Sequence, residues 1–455
     1  MVQPRDLDTV PPEPPTRQPS LTRALGRWDL TAIGVNQVIG GAIFLMPADV
    51  ARQVGNWAPI ALLVIGAASL CVALCFAEVG SRFEGTGGPY LYTRAAFGRF
   101  VAFEVGWMQW FTRVASQASV ANGVAIALGF YWEWLRAGVP RAALLTAMTL
   151  ALLWINVRGI RQSAWVVNAL TIGKLVPLAL FILAGFFFVQ PERLVPLPPI
   201  TLEQAATAAL LLIFTYGGYD VIGVPAGEAT HPRRDIPFAF VTTIAVVTTV
   251  FTLGQIIAMT VLPDVTASRT PLADGMAVML GSAGALLISV GAVVSMTGNN
   301  AGQVLTGSRM LYALAENREL PAWFGRVHPT YRTPHNSIVF TSVVALALML
   351  SGSFVFLAAV SAVARLVTYV GACAAMYVLR RPEHRGRVQP ATFVVPGGAL
   401  VPALAVGSSM LILVLANRQQ LLGGIAALAA GAMLFFIHTR FRDVPRAPFR
   451  EEMTR

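Results

Sequence analysis

The stretch that decides the fold reads Asp29-Leu-Thr-Ala-Ile-Gly-Val-Asn-Gln-Val-Ile-Gly-Gly-Ala-Ile-Phe-Leu-Met-Pro47. Its apolar residues predict a membrane-spanning helix, but the pair Gly40-Gly41 lies about midway along it. A glycine in a helix costs roughly 1 kcal/mol relative to alanine, and its backbone can leave helical geometry freely. We therefore predict a membrane helix that unwinds at its centre.

A second stretch repeats this pattern. It reads Leu211-Leu-Ile-Phe-Thr-Tyr-Gly-Gly-Tyr-Asp220, with Pro225 further on. One explanation is that each glycine pair only allows close helix packing. Two interrupted segments at matching places in two halves of a chain instead indicate a transporter built from inverted repeats, whose freed backbone groups line a polar site. The occurrence of two pairs favours this second interpretation.

Composition indicates that most of the surface faces lipid. The 455 residues are 56% hydrophobic and 12% charged, with a mean hydropathy of +0.65, which exceeds what a soluble domain can bury. The net charge of +11 comes from arginines in short clusters between apolar stretches, so nucleic-acid binding is not predicted. The three cysteines and five histidines form no ligand pattern, and we predict no metal or other cofactor.

Apolar stretches of about 20 residues can cross a bilayer. Those in this chain start near Leu30, Trp57, Phe100, Ala142, Ala164, Ala205, Phe238, Met276, Ser337, Phe354, Val401 and Leu421. An even count of twelve places both termini on one side of the membrane. If that side is cytoplasmic, 24 arginines lie in inner segments and 6 in outer loops, as the positive-inside rule requires.

The predicted spans and the two ends divide the chain into five parts. The proline-rich residues 1–27 are predicted to be a disordered cytoplasmic tail, and residues 441–455 a second tail. Spans one to five (28–190) and six to ten (200–387) would form the two repeats, followed by two further spans in 396–440.

The residues resemble the amino acid/polyamine/organocation (APC) superfamily, specifically its bacterial amino acid permeases, from Trp28 to Arg387. The resemblance rests on the order of several motifs: Ile39-Gly-Gly-Ala-Ile-Phe44, Ala77-Glu-Val-Gly-Ser-Arg-Phe83, Gly87-Gly-Pro-Tyr90, Gly173-Lys-Leu175, Phe214-Thr-Tyr-Gly-Gly-Tyr219, Gly227-Glu-Ala-Thr-His-Pro-Arg-Arg-Asp-Ile-Pro237, Ser308-Arg-Met-Leu-Tyr-Ala313, Leu320-Pro321 and Leu379-Arg-Arg381. It implies an all-α polytopic fold of twelve helices, with a five-plus-five inverted repeat and broken first and sixth helices (the LeuT-like or APC fold). It also implies alternating-access transport in the bacterial inner membrane.

The predicted substrate site lies at the two interruptions. Amides after Gly41 would bind a carboxylate, and carbonyls near Thr215 would bind an ammonium group. By resemblance, Phe214 closes over the substrate. Where the family usually has a small polar residue and then glycine, this chain has Gly41 and Ala42, so the substrate is less well defined than the fold. The predicted binding residues are Ile39, Gly40, Gly41, Ala42, Ile43, Phe214, Thr215, Tyr216, Gly217 and Gly218.

Three basic residues fall inside predicted spans, where a charge is costly and marks function. Lys174 is the only lysine of the chain. In relatives without sodium coupling, a lysine at the matching position occupies the place of sodium. Here it is either a fixed charge that holds carbonyls of the broken helix or a proton carrier, and both alternatives argue against sodium dependence. For Arg113 and Arg365 no partner is identified from the sequence, and structural pairing inside the helix bundle is favoured over contact with the substrate.

Several polar residues remain. Glu78 and Glu228 are predicted to form gating ion pairs with arginines such as Arg82 or Arg309. Asp220 either pairs with an arginine or faces the cavity. The eighth span contains polar residues expected to bond between helices or to line the cavity beside the lysine: Ser289, Ser295, Thr297, Asn299 and Asn300.

We predict a sodium-independent, proton-coupled secondary transporter of amino acids whose partners are a small-molecule substrate and membrane lipid. Neutral substrates are favoured because no acidic pair for a cationic side chain stands out, although Asp220 leaves that option open. An exchanger, a uniporter and a transporter-like nutrient sensor are the alternatives. An enzyme is not predicted, because no nucleophile-base pair is evident. The oligomeric state is not predicted.

Overall fold

The computed structural model describes residues 21–135, 137–351, 354–384, 386, 388–415 and 418–440. Within them the chain is mainly helical, and a β bridge joins Leu25 and Ala229. The helices are α1 (Arg27–Val38), α2 (Ala42–Val54), α3 (Ala58–Gly80), α4 (Pro89–Phe97), α5 (Arg99–Tyr131), α6 (Gly138–Arg158), α7 (Ile160–Gly185), α8 (Leu202–Tyr216), α9 (Pro232–Val261), α10 (Pro271–Glu316), α11 (His335–Ser351), α12 (Phe354–Leu379), α13 (Leu400–Leu415) and α14 (Arg418–Arg440).

Six helical stretches of the described chain are long and apolar enough to cross a membrane by length and composition: Met46–Gly80, Gly138–Arg158, Ile160–Gly185, Pro232–Val261, Pro271–Glu316 and Leu421–Arg440. Four shorter apolar helices accompany them. The protein is therefore an all-helical, multi-pass membrane protein. The count of twelve spans and the inverted repeat stay predictions.

Both glycine pairs interrupt helical structure where the sequence predicted it. Helix α1 ends at Val38 and α2 begins at Ala42, so residues 39–41 separate two half-helices. Helix α8 ends at Tyr216, and short 3-10 turns follow it in place of a continuing helix. Gly218 has a φ of 132°, a conformation that side chains strongly disfavour.

Two features were not predicted. Helix α10 is bent at Gly281, whose φ is 69°, so the eighth predicted span, which starts near Met276, is interrupted five residues later. The short helix α4 lies between the second and third predicted spans. It begins after Gly88, at φ 48°, with Pro89 in its first turn.

Helix α10 is central to the packing, because it contacts α1, α2, α5, α7 and α11. Helix α12 packs against α3, α5, α13 and α14. Small residues permit some of these close contacts. A Cβ atom at Gly185 would lie 2.3 Å from Ile257, and one at Gly291 would lie 3.0 Å from Pro177.

The chain before α1 is bound to the segment that follows α8. The backbone N–H groups of Ala24 and Leu25 donate to the carbonyl of Glu228 at 2.8 and 2.9 Å, and Thr230 N–H donates to Leu25 at 2.9 Å. Leu25 belongs to the predicted tail 1–27, yet it is fully buried. Residues 1–20 and 441–455 of the predicted tails lie outside the described residues.

Candidate functional site

The two interrupted segments meet. A Cβ atom at Gly218 would lie 2.6 Å from the carbonyl oxygen of Gln37, which is in the last turn of α1. The turn Tyr219–Val221, which follows Gly218, also contacts α1. The glycine without a side chain thus lets the backbone after α8 lie directly on the end of α1.

Where α1 ends, no further helical turn follows to donate hydrogen bonds to its last carbonyl groups. Lys174 of α7 is one of the side chains that donate to them instead. Its Nζ atom donates to the carbonyls of Asn36 at 3.1 Å, Ile39 at 2.6 Å and Ser295 at 3.1 Å. Lys174 is fully buried, and no carboxylate forms an ion pair with it among the described residues. An ammonium group surrounded by three carbonyl oxygens occupies a position suited to a small cation.

Helix α10 supplies the other donors. The Ser295 hydroxyl reaches the carbonyls of Ile39 at 3.1 Å and Gly40 at 2.8 Å, and Asn299 Nδ2 reaches that of Gln37 at 2.9 Å. In return, Asn36 Nδ2 donates to the Gly298 carbonyl at 2.5 Å. These bonds satisfy groups that would otherwise be orphaned at membrane depth.

The residues predicted to bind substrate in the first break are placed around this network. Ile39 and Ile43 are buried, whereas Gly41 and Ala42 are partly exposed. A Cβ atom at Gly40 would lie 3.4 Å from Asn299 Nδ2, which is an ordinary van der Waals contact. Helix α2 begins after Gly41 without a side-chain cap, as the predicted use of its first amides by a ligand requires.

At the second break, the predicted binding residues do not all face the first break. Thr215 donates its hydroxyl to Leu211 of its own helix at 2.8 Å, and Tyr216 OH donates to the Leu62 carbonyl of α3 at 3.1 Å. Both hydroxyls are therefore occupied away from the α1 break. Phe214 belongs to α8, but its side chain lies outside the described part of the structure, so its predicted closing role stays a prediction.

Asp220 follows the second break and is at the centre of a buried ion cluster. Its carboxylate accepts a hydrogen bond from Arg113 Nη2 at 3.0 Å, and Arg365 Nε lies 4.0 Å away. Gln109 Nε2 and Tyr369 OH donate to it at 3.3 and 3.5 Å. Of the two predicted alternatives for Asp220, the structure has the arginine pair: Arg113 is hydrogen-bonded to the carboxylate, and Arg365 lies at ion-pair distance without a hydrogen bond to it.

Two further ion pairs involve the predicted gating residues. Glu228 accepts two hydrogen bonds from Arg309, at 2.8 and 3.0 Å, and neither side chain is exposed. Glu78 pairs with Arg380 at 2.5 Å and with Arg82 at 3.5 Å. The hydrogen bonds to Glu78 raise the pKa of Arg380. The gating role of these pairs stays a prediction.

Several residues of the site were not predicted from the sequence. Ser295 and Asn299 were among the polar residues of the eighth span, but Ser289 and Thr297 of that set bond only to their own helix. The asparagine, glutamine and tyrosine side chains near the breaks were not identified from the sequence. A polar side chain inside an apolar helix was the signal that could have identified them. They are Asn36, Gln37, Gln109, Gln117 and Tyr369.

The chain is similar in sequence to membrane transporters. A family model described as amino acid permease matches residues 25–436. The chain is 26% identical over 447 residues to the methylthioribose transporter of Bacillus subtilis, covering 93% of this chain and 95% of that protein. It is 29% identical to the serine/threonine exchanger SteT of the same species (88% and 92% covered) and 26% identical to its branched-chain amino acid permease BcaP (92% and 94%).

Proposed function

The chain belongs to the amino acid permease family, and on this premise we propose that it is a sodium-independent, proton-coupled transporter of amino acids. It would work by alternating access in the bacterial inner membrane. Two of the relatives described above are named for amino acids, which supports this substrate class. Each is a transporter, so we propose no enzymatic activity.

The observation that carries the coupling proposal is the environment of Lys174. Three carbonyl oxygens surround its ammonium group at 2.6 to 3.1 Å, with two of them from the end of α1. Oxygen ligands of this kind would otherwise bind a sodium ion. The lysine supplies the positive charge itself, and a lysine, unlike an arginine, can release a proton when buried.

Substrate recognition would use the backbone at both breaks. The uncapped first turn of α2 would bind the substrate carboxylate, since helix N-termini attract anions. The end of α8 would accept hydrogen bonds from the substrate ammonium group through its last carbonyls. These contacts recognise the common part of every amino acid and leave the side chain to other residues.

For the membrane arrangement we propose twelve spans with both termini in the cytoplasm. The repeats would comprise residues 28–190 and 200–387, with two additional spans in 396–440. The interruptions at Gly40-Gly41 and Gly217-Gly218 would then occupy equivalent places in the two repeats.

Uptake into proteoliposomes tests the proposal. All amino acids would be screened as radiolabelled probes, with and without an inward proton gradient, in sodium and in choline buffers. We expect gradient-dependent uptake that a protonophore abolishes and choline leaves unchanged. Lys174→Met should keep the length of the side chain but lose gradient-driven accumulation, because its donors and its charge are gone. Uptake that requires sodium would contradict the coupling proposal, and no uptake of any amino acid would contradict the transport proposal.

Exchange is the second candidate, because the relative SteT is named an exchanger. Preloading the liposomes with unlabelled substrate distinguishes the two mechanisms. An exchanger would accelerate uptake on preloading and would show none in empty liposomes, whereas a proton symporter would fill empty liposomes.

A further inference from the structure

The ion cluster at Asp220 is unbalanced in charge. Two guanidinium groups, of Arg113 on α5 and Arg365 on α12, approach one carboxylate. Among the described residues, neither arginine forms an ion pair with a second acidic group. Both are at least nine-tenths buried, with relative exposures of 1% and 9%. The cluster therefore carries one excess positive charge, which is costly at this depth.

Its donors are also incompletely used. Arg113 gives only Nη2 to Asp220, while its Nε and Nη1 atoms form no hydrogen bond within the described part of the chain. The Nε atom of Arg365 is likewise without a hydrogen bond. One turn from Arg113 on the same face of α5, Gln117 is 1% exposed, and no described residue forms a hydrogen bond with its oxygen or its nitrogen. Buried polar groups left in this state cost stability unless bound water or a ligand supplies the missing hydrogen bonds.

The cluster is next to the second break. A Cβ atom at Gly217 would lie 2.1 Å from Arg365 Nη1, so this guanidinium lies against the backbone that links α8 to the following turn. The neighbouring Gly218 lies on the end of α1. A substrate bound by the backbone at the two breaks would therefore have this cluster beside it.

An excess positive charge with free guanidinium N–H groups and an amide matches one ligand chemistry, a carboxylate. Arginine presents planar pairs of donors that fit both carboxylate oxygens. A neutral side chain would leave both the charge and the donors uncompensated.

We propose that Arg113, Arg365 and Gln117 form a subsite for the side-chain carboxylate of an acidic amino acid. The protein would then carry amino acids of the glutamate and aspartate class, rather than the neutral ones that the sequence favoured. Asp220 positions the two arginines and prevents a larger charge excess. This inference rests on the proposed transport function and specifies its substrate.

The test compares isosteric probes in proteoliposomes of the full chain. Glutamate and aspartate should be taken up at least about tenfold faster than glutamine and asparagine at equal concentration. Arg365→Gln should reduce glutamate uptake by about tenfold or more and should raise the ratio of glutamine to glutamate uptake. Arg158→Gln is the matched control, since Arg158 is exposed at the end of α6 and stacks on Trp154. It should leave both rates unchanged.

Folding is checked separately, because removing a buried arginine can unfold the protein. Arg113→Lys keeps the charge but loses the bidentate geometry, and it should raise the KM for glutamate while the protein elutes normally from size-exclusion chromatography. Glutamate-induced thermal stabilisation of the wild type, absent in Arg365→Gln, would support the subsite independently of transport.

Two outcomes would overturn the subsite, and a third would overturn the transport function on which it rests. Wild-type uptake restricted to neutral amino acids and unchanged in Arg365→Gln would do so while leaving amino acid transport intact. Neutral uptake that depends on chloride, and that loses this dependence in Arg365→Gln, would mean that the arginines hold an inorganic anion. Uptake of no amino acid at all would instead contradict the proposed function itself.

Discussion

At the scale of single residues, Gly218 determines how closely the two interrupted segments approach. Its φ of 132° and its distance from the Gln37 carbonyl both exclude a side chain. Gly217 beside it leaves room for Arg365. The pair therefore has two functions that a helix-packing explanation does not include: one glycine brings two backbones together, and the other admits a charged side chain.

Gly218→Ala tests this role against Gly254→Ala, a matched change inside α9. A Cβ atom at Gly218 would lie 2.6 Å from a backbone oxygen, whereas one at Gly254 meets nothing within 4 Å. We expect Gly218→Ala to destabilise the protein by about 1–3 kcal/mol, the usual cost of a disfavoured backbone conformation, and to abolish uptake. Gly254→Ala should be neutral or stabilising by up to about 1 kcal/mol.

The measurement is thermal unfolding in detergent together with initial uptake rates. Equal behaviour of the two variants would show that the close approach of Gly218 and Gln37 does not hold in the working protein.

At the scale of elements, α10 compensates for the break in the first span. Its Ser295 and Asn299 side chains, together with Lys174 of α7, bond the carbonyls that α1 leaves free. An uninterrupted helix would need none of these donors. The polar residues Ser295 and Asn299 of α10 are thus explained by the glycines of another segment about 250 residues away in sequence.

The segment between α12 and α13 is bound to the end of α3. Val395 N–H donates to Glu78 Oε2 at 2.8 Å, Thr392 N–H donates to Ser81 Oγ at 3.2 Å, and Arg380 Nη2 donates to the Val395 carbonyl at 3.0 Å. Glu78 therefore joins α3, the end of α12 and this connecting segment. A motion that separates the end of α3 from the end of α12 would break these bonds.

The Glu228–Arg309 pair links the segment after α8 to α10 and is the strongest candidate for a conformational lock. Removing one partner of a fully buried pair costs about 3–5 kcal/mol, because the other charge is left uncompensated. We expect Glu228→Gln and Arg309→Gln each to destabilise by that amount, and the double variant by much less than their sum. A double-mutant cycle on thermal unfolding measures the coupling.

The exposed pair of Arg23 and Glu84 provides the control. Its side chains are 53% and 42% exposed and lie 3.6 Å apart, so Glu84→Gln should change stability by less than about 1 kcal/mol. If the Glu228–Arg309 cycle gave an equally small coupling, the pair could not bias a transport equilibrium.

At the scale of the whole molecule, the distribution of charged residues and the length of the apolar helices determine how the protein lies in the membrane. Apolar helices alternate with short arginine-bearing segments, and large apolar side chains such as Trp165 and Phe187 are exposed on the outer surface. An exposed apolar surface of this kind is expected where lipid replaces water.

Cysteine labelling tests the proposed orientation. In a background without Cys71, Cys75 and Cys373, single cysteines would replace the exposed residues Glu192 and Arg326. A membrane-impermeant maleimide on intact cells should label Glu192→Cys, and it should label Arg326→Cys only after permeabilisation. The opposite pattern would place both termini outside and contradict the use of the positive-inside rule here.

The amino-acid sequence by itself determined the helical, lipid-exposed class of the protein and the two places where helices break. Both follow from local properties, since hydrophobicity along about 20 residues and the backbone freedom of paired glycines act without distant partners. It also identified Lys174, Asp220, Arg113 and Arg365, because a charge inside an apolar stretch is conspicuous in any context. The bend at Gly281 escaped because an isolated glycine in a helix is common.

Only the tertiary structure decided which charges and carbonyls are partners. Lys174 lies 135 residues from Ile39 in the chain, and Arg113 lies 107 residues from Asp220, so no spacing rule relates them. Their pairing depends on how helices pack around α10, which is set by many weak contacts acting together. The same packing left Arg113 and Gln117 buried with unused polar atoms, and that feature, absent from the sequence, points to an acidic substrate.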